Sequence, residues 1–263
     1  MNKLVNLVHG PDRFFFSWKT NYHSIISPLV KKKNFTNIFK NPSYTTKTMS
    51  KPILYNYFRS SSSWRVRIVL AHKGIDYEYK AINLLKKEQL TEEYRKICPM
   101  QQVPALEVDG KIITQSMAIM DFLEDLYPEI PMIPKDRFGK AKVKEISDII
   151  NSGIQPLQNL SVILKFSSVP DERTEWARFW IAKGLDALEI ILSETKGKYC
   201  VGDQITIADA CLYPQIAAAE RFKVEMEKYP IVNEIYQNLG ELPAFKAAHA
   251  FVQPDCPEDL RVK

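Results

Sequence analysis

No run of about 18 or more uncharged apolar residues occurs in this chain, so nothing in it reads as a membrane-spanning helix. It has only four cysteines: Cys98, Cys200, Cys211 and Cys256. None sits in a Cys-x-x-Cys pair and none lies near a histidine at ligand spacing. A zinc site or a disulfide framework is therefore not expected, and a reducing compartment fits best. The four histidines, His9, His23, His72 and His249, form no triad and no metal-ligand pattern. No internal repeat is visible that would suggest a solenoid.

What is present is ordinary globular composition: 263 residues, 45% hydrophobic and 25% charged. That allows one large or two modest domains. The net charge of +5 is unevenly spread. Residues 1–50 hold eight Lys or Arg and one acid, Asp12, a balance of +7. Residues 51–263 hold 28 bases and 30 acids, a balance of −2. The basic character thus belongs to the leader, and nucleic-acid binding loses its main electrostatic support. The leader is basic, hydroxyl-rich and acid-poor, as mitochondrial transit segments are, although lysine outweighs arginine. It reads either as a targeting segment (residues 1–48) or as a disordered or alternative-start extension ahead of Met49. It lacks the apolar core of a secretory signal.

The body begins with a short apolar run, Ile53–Tyr57, that predicts a strand. Trp64–Lys73 predicts a helix stopped by Gly74, and Tyr77–Leu84 a second strand. A polar stretch, 86–97, predicts a short helix. Ala105–Val108 and Lys111–Thr114 flank Asp109-Gly110, a two-residue hairpin turn. Ser116–Tyr127 predicts a helix closed by Pro128. The order βαβ, α, ββα over residues 51–132 is the thioredoxin layout, with a parallel first pair and a right-handed crossover. A Pro-rich linker follows (Pro128, Pro131, Pro134). Residues 137–257 carry no strand signal. Helices are expected over 137–152, 155–166, 172–195, 206–222, 230–240 and 243–252, broken at Pro156, Pro170, Gly197, Gly202, Pro230 and Pro243. The fold class is α+β, a small thioredoxin-like domain followed by an all-helical one.

Several residues carry two readings. Ser60, Ser61, Ser62 and Ser63 lie between the first strand and the first helix. A helix N-terminus offers unpaired N–H groups and partial positive charge, and hydroxyls there can donate to an anion such as a thiolate. The same serines can simply cap the helix. Ser116 is expected as an N-cap whose helix favours a carboxylate. Gln155 and Asn159, spaced i, i+4, share a helical face that could close a pocket or merely be solvated. Arg221 either clamps a substrate carboxylate or pairs with Glu220 or Glu225. Arg59 and Arg65 would add positive field. Thr206-Ile207-Ala208-Asp209 has capping-box spacing and reads as folding, not chemistry. Cys211 reads as a buried small hydrophobe and His72 as packing or solvent.

Three motifs in order carry a resemblance: Tyr57-Phe58-Arg59-Ser60-Ser61-Ser62-Ser63-Trp64-Arg65-Val66-Arg67; Gln102-Val103-Pro104 followed by Gln115-Ser116; and Gly153-Ile154-Gln155-Pro156-Leu157-Gln158-Asn159-Leu160-Ser161. From Lys51 onward the chain resembles the glutathione transferases, and within them the zeta class, the maleylacetoacetate isomerases. The resemblance implies a glutathione-transferase fold, a homodimer in the cytoplasm, and glutathione as cofactor with no metal. It implies glutathione-dependent cis–trans isomerisation of maleylacetoacetate in tyrosine and phenylalanine breakdown, with transferase activity on small α-halo acids. It points to Ser60 as the residue that activates the glutathione thiol, aided by Ser61, and to Arg221 as facing a dicarboxylate substrate. Glutathione contacts are implied for Ser60, Ser61, Ser62, Ser63, Trp64, Arg65, Gln89, Val103 (by its backbone, through a cis bond to Pro104), Gln115, Ser116, Gln155, Asn159, Leu160 and Ser161. One departure stands out: the family pattern is Ser-Ser-Cys, and here the third position is Ser62. That leaves an alternative open, a catalytically poor glutathione-binding scaffold of the same fold.

Overall fold

A computed structural model describes residues 50–262. The leader therefore lies outside the described residues. Strand β1 (Ile53–Asn56) is followed by helix α1 (Ser61–His72) and strand β2 (Glu78–Ala81). Helix α2 (Glu92–Ile97), the hairpin β3 (Ala105–Val108) and β4 (Lys111–Thr114), and helix α3 (Ser116–Leu126) complete the first part. The four strands run in the order β2-β1-β3-β4. β1 pairs parallel with β2, Tyr55 opposite Lys80, and antiparallel with β3, Leu54 opposite Leu106. The hairpin turns at Asp109-Gly110, both at positive φ (50° and 73°), as a two-residue turn requires. This is the thioredoxin-like arrangement expected from the element order.

Helix α1 starts three residues earlier than the apolar pattern predicts. Ser60 caps it by accepting the Ser63 N–H at 3.2 Å. It ends as predicted: Gly74 takes φ +67°, and the Ile75 and Gly74 N–H groups reach back to Leu70 and Ala71, a Schellman closure. Every residue from Ser63 to Leu70 is buried, so α1 is a core element despite carrying two arginines.

The linker is held by a buried ion pair. Lys73 Nζ lies 2.8 Å from Glu124 and also donates to the Tyr127 and Ile130 carbonyls. Glu124 accepts the Met132 N–H. Beyond it lie helices α4 (Arg137–Asp148), α5 (Gln155–Gln158), α6 (Leu160–Phe166), α7 (Pro170–Thr195), α8 (Ile207–Arg221), α9 (Pro230–Gly240) and α10 (Pro243–Ala248). Helices α9 and α10 begin at Pro230 and Pro243 as expected, and α7 begins at Pro170, two residues before its expected start; each proline takes the first-turn position, where the missing N–H costs nothing. The expected helix 155–166 is two helices, because Asn159 turns extended (φ −59°, ψ 140°). Between α4 and α5 the backbone widens into a π-helical turn, Ile149–Ile154.

The Thr206–Asp209 box is present, and it does more than cap α8. Asp209 is fully buried and accepts the Thr206 N–H (2.7 Å), the Thr206 hydroxyl (2.8 Å) and the Cys200 N–H (2.8 Å). It thereby ties the loop after α7 to the helix at the centre of the second part. All four cysteines are free and buried, Cys211 within α8.

Candidate functional site

Two adjoining cavities open between the thioredoxin-like part and the helices, of about 700 Å³ and about 730 Å³. They meet at Ser60, Leu84, Leu85, Gln155, Asn159 and Leu160, which line both.

The first cavity gathers the motifs of the first part. Ser60 and Ser62 stand at the N-terminus of α1, Gln89 on the turn before α2, and Val103 at a cis bond to Pro104. Gln115 and Ser116 come from the β4–α3 turn, and Asn151 and Ser161 from the helical side. The two serines share one logic. Ser60 Oγ already accepts from Ser63 N–H, and Ser116 Oγ accepts from Arg65 at 3.2 Å. A hydroxyl that accepts from the protein keeps its own proton to donate. Each also sits at a helix N-terminus, where the first N–H groups lack intrahelical acceptors. The cavity thus offers two anion-favouring ends. Gln115 holds φ +74° to make this turn, a conformation uncommon for a side chain larger than glycine and concentrated at functional sites. Ser116, expected as the N-cap of α3, is instead its first helical residue; Gln115 occupies the cap position.

Three expected contacts sit differently. Ser63 is completely buried, lines neither cavity, and its hydroxyl has no hydrogen-bond partner among the described residues. Trp64 lines the second cavity, its ring edge-on to Tyr213 and His249. Arg65 is buried behind the wall, and burial lowers its guanidinium pKa. One of its nitrogens reaches both Ser116 Oγ (3.2 Å) and Asn151 Oδ1 (2.7 Å). It therefore fixes a hydroxyl of the first part and an amide of the π-helical turn from behind, and places positive charge beneath them. Gln155 and Asn159 both line the cavities, but not as neighbours on one helical face. Asn159 caps α6, accepting the Ser161 N–H at 3.1 Å.

The second cavity is lined by Tyr57, Arg59, Ser61, Trp64, Arg221 and His249, among others. Arg221 ends α8, exposed at the cavity, and stacks over the Phe222 ring at 4.6 Å. Its pKa falls to about 10, first because the surrounding protein strips water from it and then because Arg59 repels it. Lowered only to about 10, Arg221 stays charged at neutral pH beside Arg59. Neither has a carboxylate partner among the described residues. Glu225 pairs instead with Lys228 at 2.8 Å. Two uncompensated cations at one cavity are an arrangement for a doubly anionic ligand. His249 escaped the sequence reading. Its Nδ1 accepts the Phe251 N–H at 3.2 Å, and burial and then Arg67 lower its pKa, so it faces the cavity neutral. Asn151 and Arg67 were also missed; the pairing of one with Arg65 and the burial of the other depend on contacts distant in sequence.

Comparison with known proteins places this geometry. Residues 50–125 match the family described as glutathione S-transferase, N-terminal domain, and residues 164–249 match glutathione S-transferase, C-terminal domain. The chain belongs to the glutathione S-transferase family. It is 53% identical over 213 residues to the maleylacetoacetate isomerase of Mus musculus, covering 80% of this chain and 98% of that protein. It is 51% identical over 211 residues to probable maleylacetoacetate isomerase 2 of Drosophila melanogaster, covering 80% and 92%. Among solved structures it is similar to maleylacetoacetate isomerase from Anaeromyxobacter dehalogenans with glutathione bound in the active site. The TM-score there is 0.73 at 44% identity, covering 80% of this chain and 99% of that one. In this transferase the residues of the first cavity fit glutathione. It provides hydroxyl donors at two helix N-termini for anionic groups, and a buried acceptor, Gln89 Oε1, that has no hydrogen-bond partner among the described residues.

The position of Arg65 makes a prediction. Arg65→Met keeps the stem but removes the charge and strands Asn151. Losing such a charge-assisted hydrogen bond costs about 1.5 kcal/mol of stability, and the positive charge beneath Ser116 goes with it. Isothermal titration should show glutathione bound about tenfold more weakly. Arg65→Lys should recover much of this, since a single nitrogen makes both contacts.

Proposed function

We propose that the protein catalyses the glutathione-dependent cis–trans isomerisation of maleylacetoacetate to fumarylacetoacetate, a step of tyrosine and phenylalanine breakdown. The observation that carries this reading is the pair of unpaired guanidiniums, Arg59 and Arg221, in a cavity that shares Ser60 with the glutathione-fitting one. Bound glutathione supplies a thiol that, once ionised, adds reversibly to an activated double bond, so that the bond can rotate before the thiol leaves again. The chain's own part is electrostatic. Ser60 Oγ–H donates to the sulfur, and the N-terminus of α1 adds partial positive charge. A free thiol with pKa ~8.5 needs about 1.4–2.7 kcal/mol of preferential thiolate stabilisation to shift by one to two units. One charge-assisted hydrogen bond and a helix terminus are of that size. Ser61, on the second-cavity side, would donate to the same region, while Ser116 and Gln115 hold the γ-glutamyl carboxylate and Val103 the cysteinyl backbone. Gln155, Asn159, Leu160 and Ser161 close the cleft from the helical side. Arg221 and Arg59 hold the substrate carboxylates and stabilise charge that develops along the chain between them. We take the enzyme to act as a cytoplasmic homodimer.

The test is glutathione with maleylacetone, a stable analogue. Isomerisation with no net loss of glutathione is expected. Tight glutathione binding without turnover would mean a scaffold of the same fold. Halide release from a 2-halo acid with glutathione consumed one for one, and no isomerisation, would mean a transferase alone.

Ser62, where the family pattern has cysteine, lines the first cavity close to Ser60. Ser62→Cys is expected to change turnover of maleylacetone several-fold while sparing glutathione affinity, because the substitution exchanges one small polar group for another. Wild-type kinetics would show that this position does not limit the reaction.

A further inference from the structure

The loop that carries Arg59 and Ser60 is gripped both from α1 beneath it and from the far end of the chain. Asp255 Oδ2 accepts the Phe58 N–H at 3.0 Å, and the other oxygen accepts the Tyr79 hydroxyl. Arg67, fully buried, closes the grip from beneath. It donates to the Tyr57 carbonyl at 3.2 Å, the Phe58 carbonyl at 2.9 Å, the Asn56 side chain at 3.1 Å and the Ala248 carbonyl at 3.1 Å. Both ends of the grip thus belong to one stretch, Ala248–Asp255, which leaves α10 and crosses back over the first part.

That stretch is braced to hold a fixed position. Gln253, buried, donates to the Ala247 and His249 carbonyls, both at 2.9 Å. Arg261 donates to the Pro254 and Cys256 carbonyls at 2.9 and 3.1 Å. The Val262 N–H reaches Phe251 O at 3.2 Å. The Phe251 ring lies 6.5 Å from Phe58, and His249 packs edge-on against Trp64. His249 and Phe251 also line the second cavity. One strap therefore does two things: it forms a wall of the substrate cavity, and it sets where the β1–α1 loop lies.

We propose that Asp255 is a positioning residue for catalysis, holding the β1–α1 loop so that the Ser60 hydroxyl and the Arg59 guanidinium sit at the working distance from the sulfur and the substrate. The proposal rests on the reading of Ser60 as thiolate donor. It draws on a general fact about such donors: a displacement of about 1 Å at a reacting centre can cost orders of magnitude in rate. The Phe58 N–H is two residues from Ser60 and one from Arg59. A change in the length of that one bond therefore moves both groups together. The glutathione-fitting wall at Val103, Gln115 and Ser116 lies on other elements and is not held by the strap.

Four measurements on the full chain test this: melting temperature, glutathione Kd, the ultraviolet titration of the bound thiol with glutathione alone, and kcat on maleylacetone. Asp255→Ala should raise the thiol pKa by about one unit and lower kcat about tenfold, with glutathione Kd within about threefold. Asp255→Glu keeps the charge but displaces the carboxylate by a methylene, so it should lose kcat several-fold and shift the thiol in the same direction. Asp255→Asn should rescue. Its Oδ1 still accepts the Phe58 N–H and its Nδ2 donates to the Tyr79 oxygen, so both values should stay near wild type. A merely structural role would lower the melting temperature and leave the thiol titration of the folded protein unmoved. Should Asp255→Ala not fold, the contrast between the Glu and Asn variants decides. The proposal is overturned if the folded Ala variant keeps the wild-type thiol titration and kcat, or if Glu and Asn behave alike. Because the titration uses no second substrate, a shift in Asp255→Ala with maleylacetone inert in the wild type would leave the strap standing and remove the isomerase reading instead.

Discussion

Ser60→Ala is expected to lower kcat on maleylacetone about a hundredfold and to raise the pKa of bound glutathione by one to two units. A hydrogen bond to a charged partner contributes about 1.5–3 kcal/mol, and each 1.36 kcal/mol is a factor of ten. The complication is that Ser60 also caps α1, accepting the Ser63 N–H at 3.2 Å. Losing that cap costs about 1 kcal/mol of stability, a few degrees in melting temperature for a domain of this size. Activity and stability would then fall together, and the cause would be ambiguous. Ser60→Asp separates them. A carboxylate caps at least as well as a hydroxyl and is favoured at a helix N-terminus, so stability should be kept. It offers no proton at neutral pH and repels a thiolate, so the ultraviolet signature of the thiolate should vanish and turnover with it. A stable but inactive Asp variant beside a slightly less stable, inactive Ala variant assigns the rate to the hydroxyl proton. Wild-type thiolate absorbance in Ser60→Ala would remove Ser60 from the chemistry.

The sequence made the outer frame of this protein readable and left its inner bracing hidden, for a physical reason. Local signals act over a few residues. Asp109-Gly110 predicts its turn because only that backbone can close the hairpin, and Gly74 predicts the end of α1 for the same reason. Ser116 could be placed at a helix start from its flanks, one position off its observed place, whereas the apolar pattern starts α1 three residues late and so hides Ser60 as its cap. The arginines of α1 could not be interpreted this way. Arg65 and Arg67, two positions apart, point to different sides of the helix, yet both are buried and serve as ties to Asn151 and Ala248, far along the chain. Asp255 is 197 residues from the N–H it accepts, and no pattern of composition or period links the two. The break at Asn159 was equally silent, because an asparagine on a helical face and an asparagine that caps the next helix look identical until the backbone is seen. Prolines were ambiguous in the opposite way. The missing N–H and the ring that break a helix when proline is interior cost nothing at the first turn, where the fixed φ is already helical.

Arg221→Ala is expected to lower kcat/KM for maleylacetone roughly thirtyfold or more, with glutathione affinity little changed. The size follows from the surroundings of the guanidinium. Were Arg221 in an ordinary surface ion pair, its removal would cost under about 1 kcal/mol. Instead it lacks a carboxylate partner, Glu225 is engaged by Lys228, and its pKa is held at about 10 by lost water and by Arg59. Two cations that repel each other across a cavity are relieved by an anion between them. Binding a carboxylate there regains interaction that the free protein lacks, and removing one partner of such a charged pair costs about 2–4 kcal/mol. Because the relief is mutual, the two arginines should be coupled. Arg59→Ala with Arg221→Ala should lose less than the sum of the single losses if both hold one carboxylate, and the full sum if each holds its own. Arg221→Lys should recover part of the loss, keeping charge but not the planar fork. The direction of pH dependence is also fixed. Arg221 is lowered to about 10, so the clamp is intact through neutral pH and is lost as pH rises through that value, whereas bound dianion should push the loss to higher pH. The measurement is kcat/KM against pH for wild type and both single variants, with glutathione saturating. A loss within about threefold for Arg221→Ala would make the residue a solvated surface charge and leave Arg59 as the cation that holds the substrate.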